Sequence, residues 1–373
     1  SWQPGFGAEG VLDSRPDAMI VHDEGSGPAL FLAGLFETAD GVTVNHIARW
    51  DGATWSALGT GLEGPSFVYA EALATFDDGS GPALYVGGDF ATAGGIEANG
   101  IARWDGHSWS ALGGPAGTGV GGLHWRTVVD LAVFDDGSGP ALYAGGIFET
   151  AGGVEANGIA RWDGNEWSAL AGPSGVGVEY YVAAMTVFDD GSGPALYVGG
   201  QFSTAGGVEV NNIARWDGDN WSDLDGGGIG SPGSSEYVMA LTTHDDGSGP
   251  ALFAGGQFET AGSVTANNIA RWDGTDWTAL SGPSGTGVSG PVFELEVFDW
   301  GLGSELVVGG SFSTAGGLTV DNIARWDGDR WSELDGASAL AWNDPVFALG
   351  VFDDGTGPAL FVGARFYWAT AGY

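Results

Sequence analysis

Residues 182–224 read VAAMTVFDDGSGPALYVGGQFSTAGGVEVNNIARWDGDNWSDL, and the rest of the chain is built from copies of this stretch. The Trp of the IARWDG phrase recurs at Trp50, Trp104, Trp162, Trp216, Trp272 and Trp326, at spacings of 54, 58, 54, 56 and 54 residues. A phrase close to FDDGSGPALYVGG starts at Val21, Phe76, Phe134, Phe188, Thr243, Phe298 and Phe352, so there are seven first halves and six second halves. Self-similarity at a fixed period of this length marks a repeated supersecondary unit.

Each copy divides into four strands separated by turn chemistry. Strand A, 182–188, is apolar on alternate positions, and Asp189-Asp190-Gly191-Ser192-Gly193-Pro194 turns it. Strand B, 195–198, is a continuous apolar run, as expected when both faces are covered. The Gly199-Gly200 pair that closes it predicts close approach of a neighbouring backbone. A loop over 204–211 leads to strand C at 213–216, and Asp217-Gly218 is a hairpin signal before strand D at 221–224. Four short antiparallel strands at this period predict an all-β fold, a β-propeller with four-stranded blades; a solenoid is the structural alternative.

ALYVGG followed by IARWDGDNW resembles the kelch repeat, as found in the central domain of galactose oxidase: a hydrophobic run ending in Gly-Gly, an aromatic-Asp pair, then a Trp. Here Trp216 stands where the family usually has Tyr, and the repeat is longer. The resemblance covers nearly the whole chain and implies a propeller; it implies no activity, since such propellers serve as enzymes, binding modules and scaffolds. The copper site of galactose oxidase needs a Tyr cross-linked to Cys, and this chain has no Cys.

The repeats fall at about 17–59, 71–113, 128–171, 182–225, 238–281, 292–335 and 346–373, within one domain spanning 1–373. Trp2 matches the start of strand D, so residues 1–10 are expected to close the ring by joining the seventh, C-terminal blade, which removes two exposed edges. Strand C of that blade falls to Phe366-Tyr367-Trp368, to chain beyond Tyr373, or to a partner in a larger assembly. The first residue is Ser rather than Met, which suggests a removed leader and a secreted or cell-surface protein.

The net charge is -38, all ten basic residues are Arg, and Lys is absent, which argues against nucleic acid as a partner. No apolar run approaches the length of a membrane span. Arg49, Arg103, Arg161, Arg215, Arg271 and Arg325 repeat within IARW and are expected to pair with a carboxylate or carbonyl. The A–B and C–D turns should project from one face and make a carboxylate ring there. Asp77, Asp78, Asp135, Asp136, Asp189 and Asp190 are its calcium candidates, although the run lacks the alternating Asp pattern of calcium loops; no other cofactor is expected.

The opposite face carries the near-identical B–C loops and the variable D–A connections. The connections hold Phe67, Tyr69, His124, Trp125, Arg126, Tyr180, Tyr181, Tyr237 and Trp342, a set suited to stacking a sugar or gripping a protein. The repeated tryptophans are expected between blades instead. No close His pair, nucleophile elbow or phosphate loop occurs; Glu179 and Glu236, each beside a Tyr, are the carboxylates nearest to a glycosidase pair. The expected function is therefore non-enzymatic binding or scaffolding through the D–A face, toward an extracellular protein or a glycan. The alternative is a carbohydrate-active protein, lectin-like or hydrolytic.

Overall fold

The computed structural model describes residues 12–65, 67–114, 117–122, 126–231, 233–301, 303–334 and 344–364. Every regular element among them is a β-strand. They form six four-stranded antiparallel sheets in simple sequential order, a two-stranded pair from Val346–Asp353 and Pro358–Ala364, and small accessory hairpins. This architecture is consistent with a propeller. In the sheet that carries the quoted stretch, the strands are Tyr181–Asp189, Pro194–Gln201, Ile213–Trp216 and Trp221–Ser222.

The DDGSGP turn has a specific job for each residue. Asp189 Oδ1 accepts hydrogen bonds from Gly191 N at 2.8 Å and Gly193 N at 3.0 Å, and both glycines sit at positive φ. Asp190 turns the other way: Oδ1 accepts from Ser192, while Oδ2 accepts the Tyr197 hydroxyl at 2.9 Å and pairs with Arg215 Nε at 3.3 Å. The same pairing joins Arg103 to Asp78, Arg161 to Asp136 and Arg271 to Asp246, with Glu24 serving Arg49. Where Trp300 replaces the second acid, Arg325 pairs with Glu305 instead. The repeated Arg thus pins the second and third strands to their turn.

A β-bulge interrupts the first strand of all seven units. It falls on the residue skipped in the register: Asp17, Glu71, Val129, Ala183, Met239, Phe293 and Phe347. A Gly-Gly pair stands opposite in five of the units, while the first has Ala33-Gly34 and the last Gly363-Ala364. A Cβ on Gly200 would collide with the carbonyl oxygen of Tyr181, at the start of the bulge. A Cβ on Gly199 would lie 2.6 Å from Val238 Cγ1 of the next sheet. The first glycine therefore admits the neighbouring sheet, and the second admits the bulge of its own.

Consecutive first strands lie side by side, and Val346–Asp353 lies beside Pro16–Asp23. A Cβ on Gly363 would meet Pro16 Cγ at 2.6 Å, and one on Gly350 would meet Met19 Cβ at 3.0 Å. Turn glycines repeat the relationship on the outside: Gly106 packs on Glu24, Gly164 on Asp78, Gly218 on Asp136, Gly274 on Asp190, and Gly52 on Asp354. Tryptophans fill the seams. Trp104 and Trp109 tilt together with centroids 5.2 Å apart, and the Trp109 indole donates to Leu58 O of the preceding sheet at 2.8 Å. Trp104 Nε1 donates to Glu24 of that same sheet.

The B–C segment is not a loop. Thr204–Ala205 and Val208–Glu209 pair across Gly206 and Gly207, whose φ values of 58° and 81° suit a type I′ turn. The incoming D–A connection then adds to this hairpin: Leu62 pairs with Ala93, Val120 with Ala151, and bridges join Val178 to Ala205 and Leu12 to Ala39.

Candidate functional site

The first strands begin at the face that carries the D–A connections. Tyr69, Tyr181 and Tyr237 are the opening residues of three of them. The next steps of the register carry acids that the repeat does not share: Asp17, Glu71, Asp130 and Glu294, with Glu296 two residues deeper in its strand. All are half-buried. These groups feel one another electrostatically. Glu71 interacts with Asp17, Glu294 with Asp130 and Glu296, and Tyr181 with Glu71, Asp130, Tyr69 and Tyr237. The first strands thus bring these acids and tyrosines within electrostatic reach of one another.

Burial drives the ionisation of this cluster. Asp17 is pushed up to about 6 by burial, against the pull of Arg15. Glu71 rises to about 7, from burial and then from the neighbouring Asp17 charge. Asp130 rises to about 6 through burial, although Leu131 N and Met185 N donate to its two oxygens at 2.8 Å and 2.5 Å. Glu294 is raised well above the usual range by burial and by Glu296 and Asp130. The hydroxyls of Tyr69 and Tyr181 are raised by burial first and by nearby carboxylates second, so both are neutral donors at neutral pH. Arg15 ion-pairs with Asp17 Oδ1 at 2.8 Å, and its guanidinium stands 4.2 Å from the centre of the Phe347 ring. Phe347 in turn stacks on Phe293, with centroids 5.4 Å apart and planes 6° apart.

Two strongly exposed aromatics mark the rim: Phe67 is 85% accessible and Tyr180 is 62% accessible. Each borders a cavity between a D–A connection and a B–C hairpin. A groove of about 580 Å³ is lined by Tyr180, Val178, Glu155, Asn157 and Phe148. A smaller hollow of about 60 Å³ is lined by Phe67, Arg126, Asp89, Phe90 and Asn99. Phe90 and Phe148, like Asn99 and Asn157, occupy equivalent repeat positions.

The structure separates the residues singled out in the sequence. Tyr69, Tyr181 and Tyr237 each open a first strand; the Tyr237 hydroxyl and Gln257 Oε1 are 3.1 Å apart. Phe67, Tyr180 and the exposed Arg126 stand on the rim. His124, Trp125, Trp342, residues 1–10 and Phe366-Tyr367-Trp368 lie outside the described residues.

The glycosidase candidates take a different role. Glu236 accepts from Ser231 N at 2.7 Å, Ser234 Oγ at 2.8 Å and Glu259 N at 2.7 Å, and these donors hold its carboxyl low. Glu179 is bonded to the Ser203 hydroxyl. Asp13 Oδ1 and Ser289 Oγ likewise accept two backbone N–H groups each from hairpins one unit on. These side chains cap hairpins, and a general acid held low is poorly suited to protonating a leaving group. The calcium candidates are engaged too: Asp77, Asp135 and Asp189 each accept two turn N–H groups, and Asp78, Asp136 and Asp190 serve Ser, Tyr and Arg. Among the described residues no three carboxylate or imidazole groups converge as a metal ion requires.

No protein-family model matches the chain, and no curated protein matches it. Among solved structures, a chain of the Chaetomium thermophilum polycomb repressive complex 2 is similar with a TM-score of 0.42 and 13% identity, over 87% of this chain and 69% of that one. The extracellular domain of the hybrid two component system BT4673 from B. thetaiotaomicron is similar with a TM-score of 0.40 and 11% identity, over 95% of this chain and 56% of that one. Likeness at this level carries no activity or partner across. The kelch resemblance rests on the sequence pattern alone.

Proposed function

We propose that the chain is a seven-bladed β-propeller closed as a ring, and that it is a non-enzymatic binding module, secreted or on a cell surface. It engages an extracellular protein or a glycan through the face that carries the D–A connections. Closure is supported by the Gly363–Pro16 and Gly52–Asp354 approaches, which repeat between the last and first units the contacts made between their neighbours. The observation that carries the function is that two strongly exposed rings, Phe67 and Tyr180, each border a cavity on that face. Water-exposed aromatics beside a hollow are where interface energy concentrates.

The test is a glycan and extracellular-protein array probed with the intact chain, then with Phe67→Ala and Tyr180→Ala. Any specific hit should weaken tenfold or more in at least one variant, with unchanged melting. Hits indifferent to both rings would sink the proposal. The hydrolytic alternative moves from Glu179 and Glu236 to the axial acids, because Glu71 and Asp130 have the elevated proton affinity that a general acid needs. Turnover of an aryl glycoside panel, abolished by Glu71→Gln, would favour it.

A further inference from the structure

We propose that the groove beside Tyr180 takes an uncharged oligosaccharide, with one pyranose ring stacked on the tyrosine and its hydroxyls bonded to Glu155, Asn157 and Ser174. This names the ligand class of the binding reading above and rests on it.

The chain carries its own comparison. Residues 171–182 read AGPSGVGVEYYV, and residues 281–292 read SGPSGTGVSGPV. The two connections share one backbone frame. Gly177 N donates to Leu170 O as Gly287 N does to Leu280 O, and Val178 N to Asn157 O as Val288 N does to Asn267 O. Glu179 N and Ser289 N likewise donate to Thr204 O and Thr314 O. On that frame Glu179-Tyr180 stands in place of Ser289-Gly290, and in the hairpin beside it Glu155 stands in place of Thr265. The position of Tyr180 holds Ser14, Gly64, Gly122, Ser231 and Gly290 in other connections, so neither the turn nor the packing of the repeat calls for a ring there. The ring is 62% accessible and borders a groove of about 580 Å³, within the roughly 300–1,000 Å³ of small-molecule sites. An open aromatic face beside a hollow is what the C–H face of a pyranose covers.

The polar lining fits hydroxyls. The Asn157 amide donates to Glu155 Oε1 and to Val176 O, both at a long 3.3 Å. Ser174 Oγ donates to Gly207 O at 3.4 Å, which leaves the lone pairs of that oxygen for an incoming donor. A sugar hydroxyl both donates and accepts, so neighbouring hydroxyls match a carboxylate and an amide held side by side. A cationic side chain only donates; it can use Glu155 but not the Asn157 N–H. An anionic sugar meets Glu149, Glu155 and Glu179, with no Arg or His among the described residues that line the groove. The chemistry that remains is that of a neutral saccharide.

The probes are cellohexaose, maltohexaose, mannohexaose and N-acetylchitohexaose, with hexagalacturonate and hexa-arginine as charged controls, titrated calorimetrically into the full chain at fixed ionic strength. At least one neutral sugar should bind saturably, and the galacturonate should not. Exchanging Glu179→Ser together with Tyr180→Gly installs residues that the chain already folds on this frame, and should weaken binding about tenfold or more with unchanged melting. Glu155→Thr, the residue of the matching hairpin, should weaken it independently, whereas Phe67→Ala, at the other hollow, should not. Silence of all four sugars overturns the proposal, and hexa-arginine binding lost in the exchange would then mark the groove as a cation site. Sugar binding indifferent to the exchange lies elsewhere and overturns it too. If the sugars fail but an array protein still needs Phe67 or Tyr180, the binding face stands and the saccharide falls. If no hit needs either ring, both fall.

Discussion

Gly199 and Val238 belong to neighbouring sheets, and a single methyl on the glycine would bring it within 2.6 Å of Val238 Cγ1. The same glycine-to-valine approach joins Gly87 to Val128, Gly145 to Val182, Gly255 to Val292 and Gly309 to Val346. The exception is informative. Ala33 occupies the glycine position of the first sheet, and Ala70 occupies the facing valine position, so the added methyl on one side is matched by a smaller side chain on the other. Gly199→Ala should therefore destabilise by about 1–3 kcal/mol, the usual cost of overpacking a core. Adding Val238→Ala should recover part of that loss, as read by urea denaturation; full additivity of the two losses would contradict the seam.

Arg215 is held by Asp190 at 3.3 Å and donates to Ser192 Oγ at 2.8 Å, with its side chain 15% accessible. Arg215→Lys keeps the charge but loses the planar fork that makes both contacts. A loss of about 1–2 kcal/mol is expected in denaturant unfolding. An unchanged midpoint would mean that the guanidinium adds nothing beyond its charge.

Acidity should stabilise this protein down to about pH 5. Asp17, Glu71, Asp130, Glu294 and Glu296 all bind protons more tightly folded than unfolded. Their contribution is fully present below the unfolded carboxyl range of about 4 and fades as pH rises through about 6 to 7. The turn acids run the opposite way. Asp51, Asp105, Asp163 and Asp273 are held low, first by backbone hydrogen bonds, so their contribution is present above about 4 and fades below it. The melting temperature should peak near pH 5 and fall toward pH 8. Glu71→Gln should flatten the fall, and Glu209→Gln should not; equal slopes in both would assign the effect to net charge alone.

Calcium should stabilise little beyond its ionic strength. The turn carboxylates already accept two or more donors each, and a metal would have to displace them. A ligand at 100 times its dissociation constant adds about 2.7 kcal/mol. Melting in 5 mM calcium against matched magnesium and sodium should differ by a degree or two; a calcium-specific rise of ten degrees would show that the turns bind it.

Much of this fold can be read from residues 182–224, because Asp-Gly turns, Pro starts and apolar runs are local signals. The third strand, Ile213–Trp216, lies where the turn chemistry puts it. The bulge has no residue signature of its own, since Asp17, Val129, Met239 and Phe347 all occupy it. A glycine opposite marks it in six units, and the last has Ala364 there. The B–C hairpin was hidden because its strands are two residues long, although Gly206-Gly207 carries the turn. The rim aromatics were legible as residues that break the repeat. The axial acids break it too: Glu294 in VFELEV stands where five other copies have Ala and the third has Asp130. They escape notice because an isolated acid in a strand reads as surface until seven strands are brought side by side.

Everything said of the axial acids depends on the last unit meeting the first. The chain has no cysteine, so an engineered pair reports without interference. Met19→Cys with Gly350→Cys places two Cβ atoms about 3.0 Å apart, close enough that a small outward shift reaches disulfide geometry. Mild oxidation of the folded protein should give a monomeric cross-linked species on a non-reducing gel and a higher melting temperature that dithiothreitol reverses. Two free thiols in a cooperatively folded, oxidised sample would contradict closure of the ring.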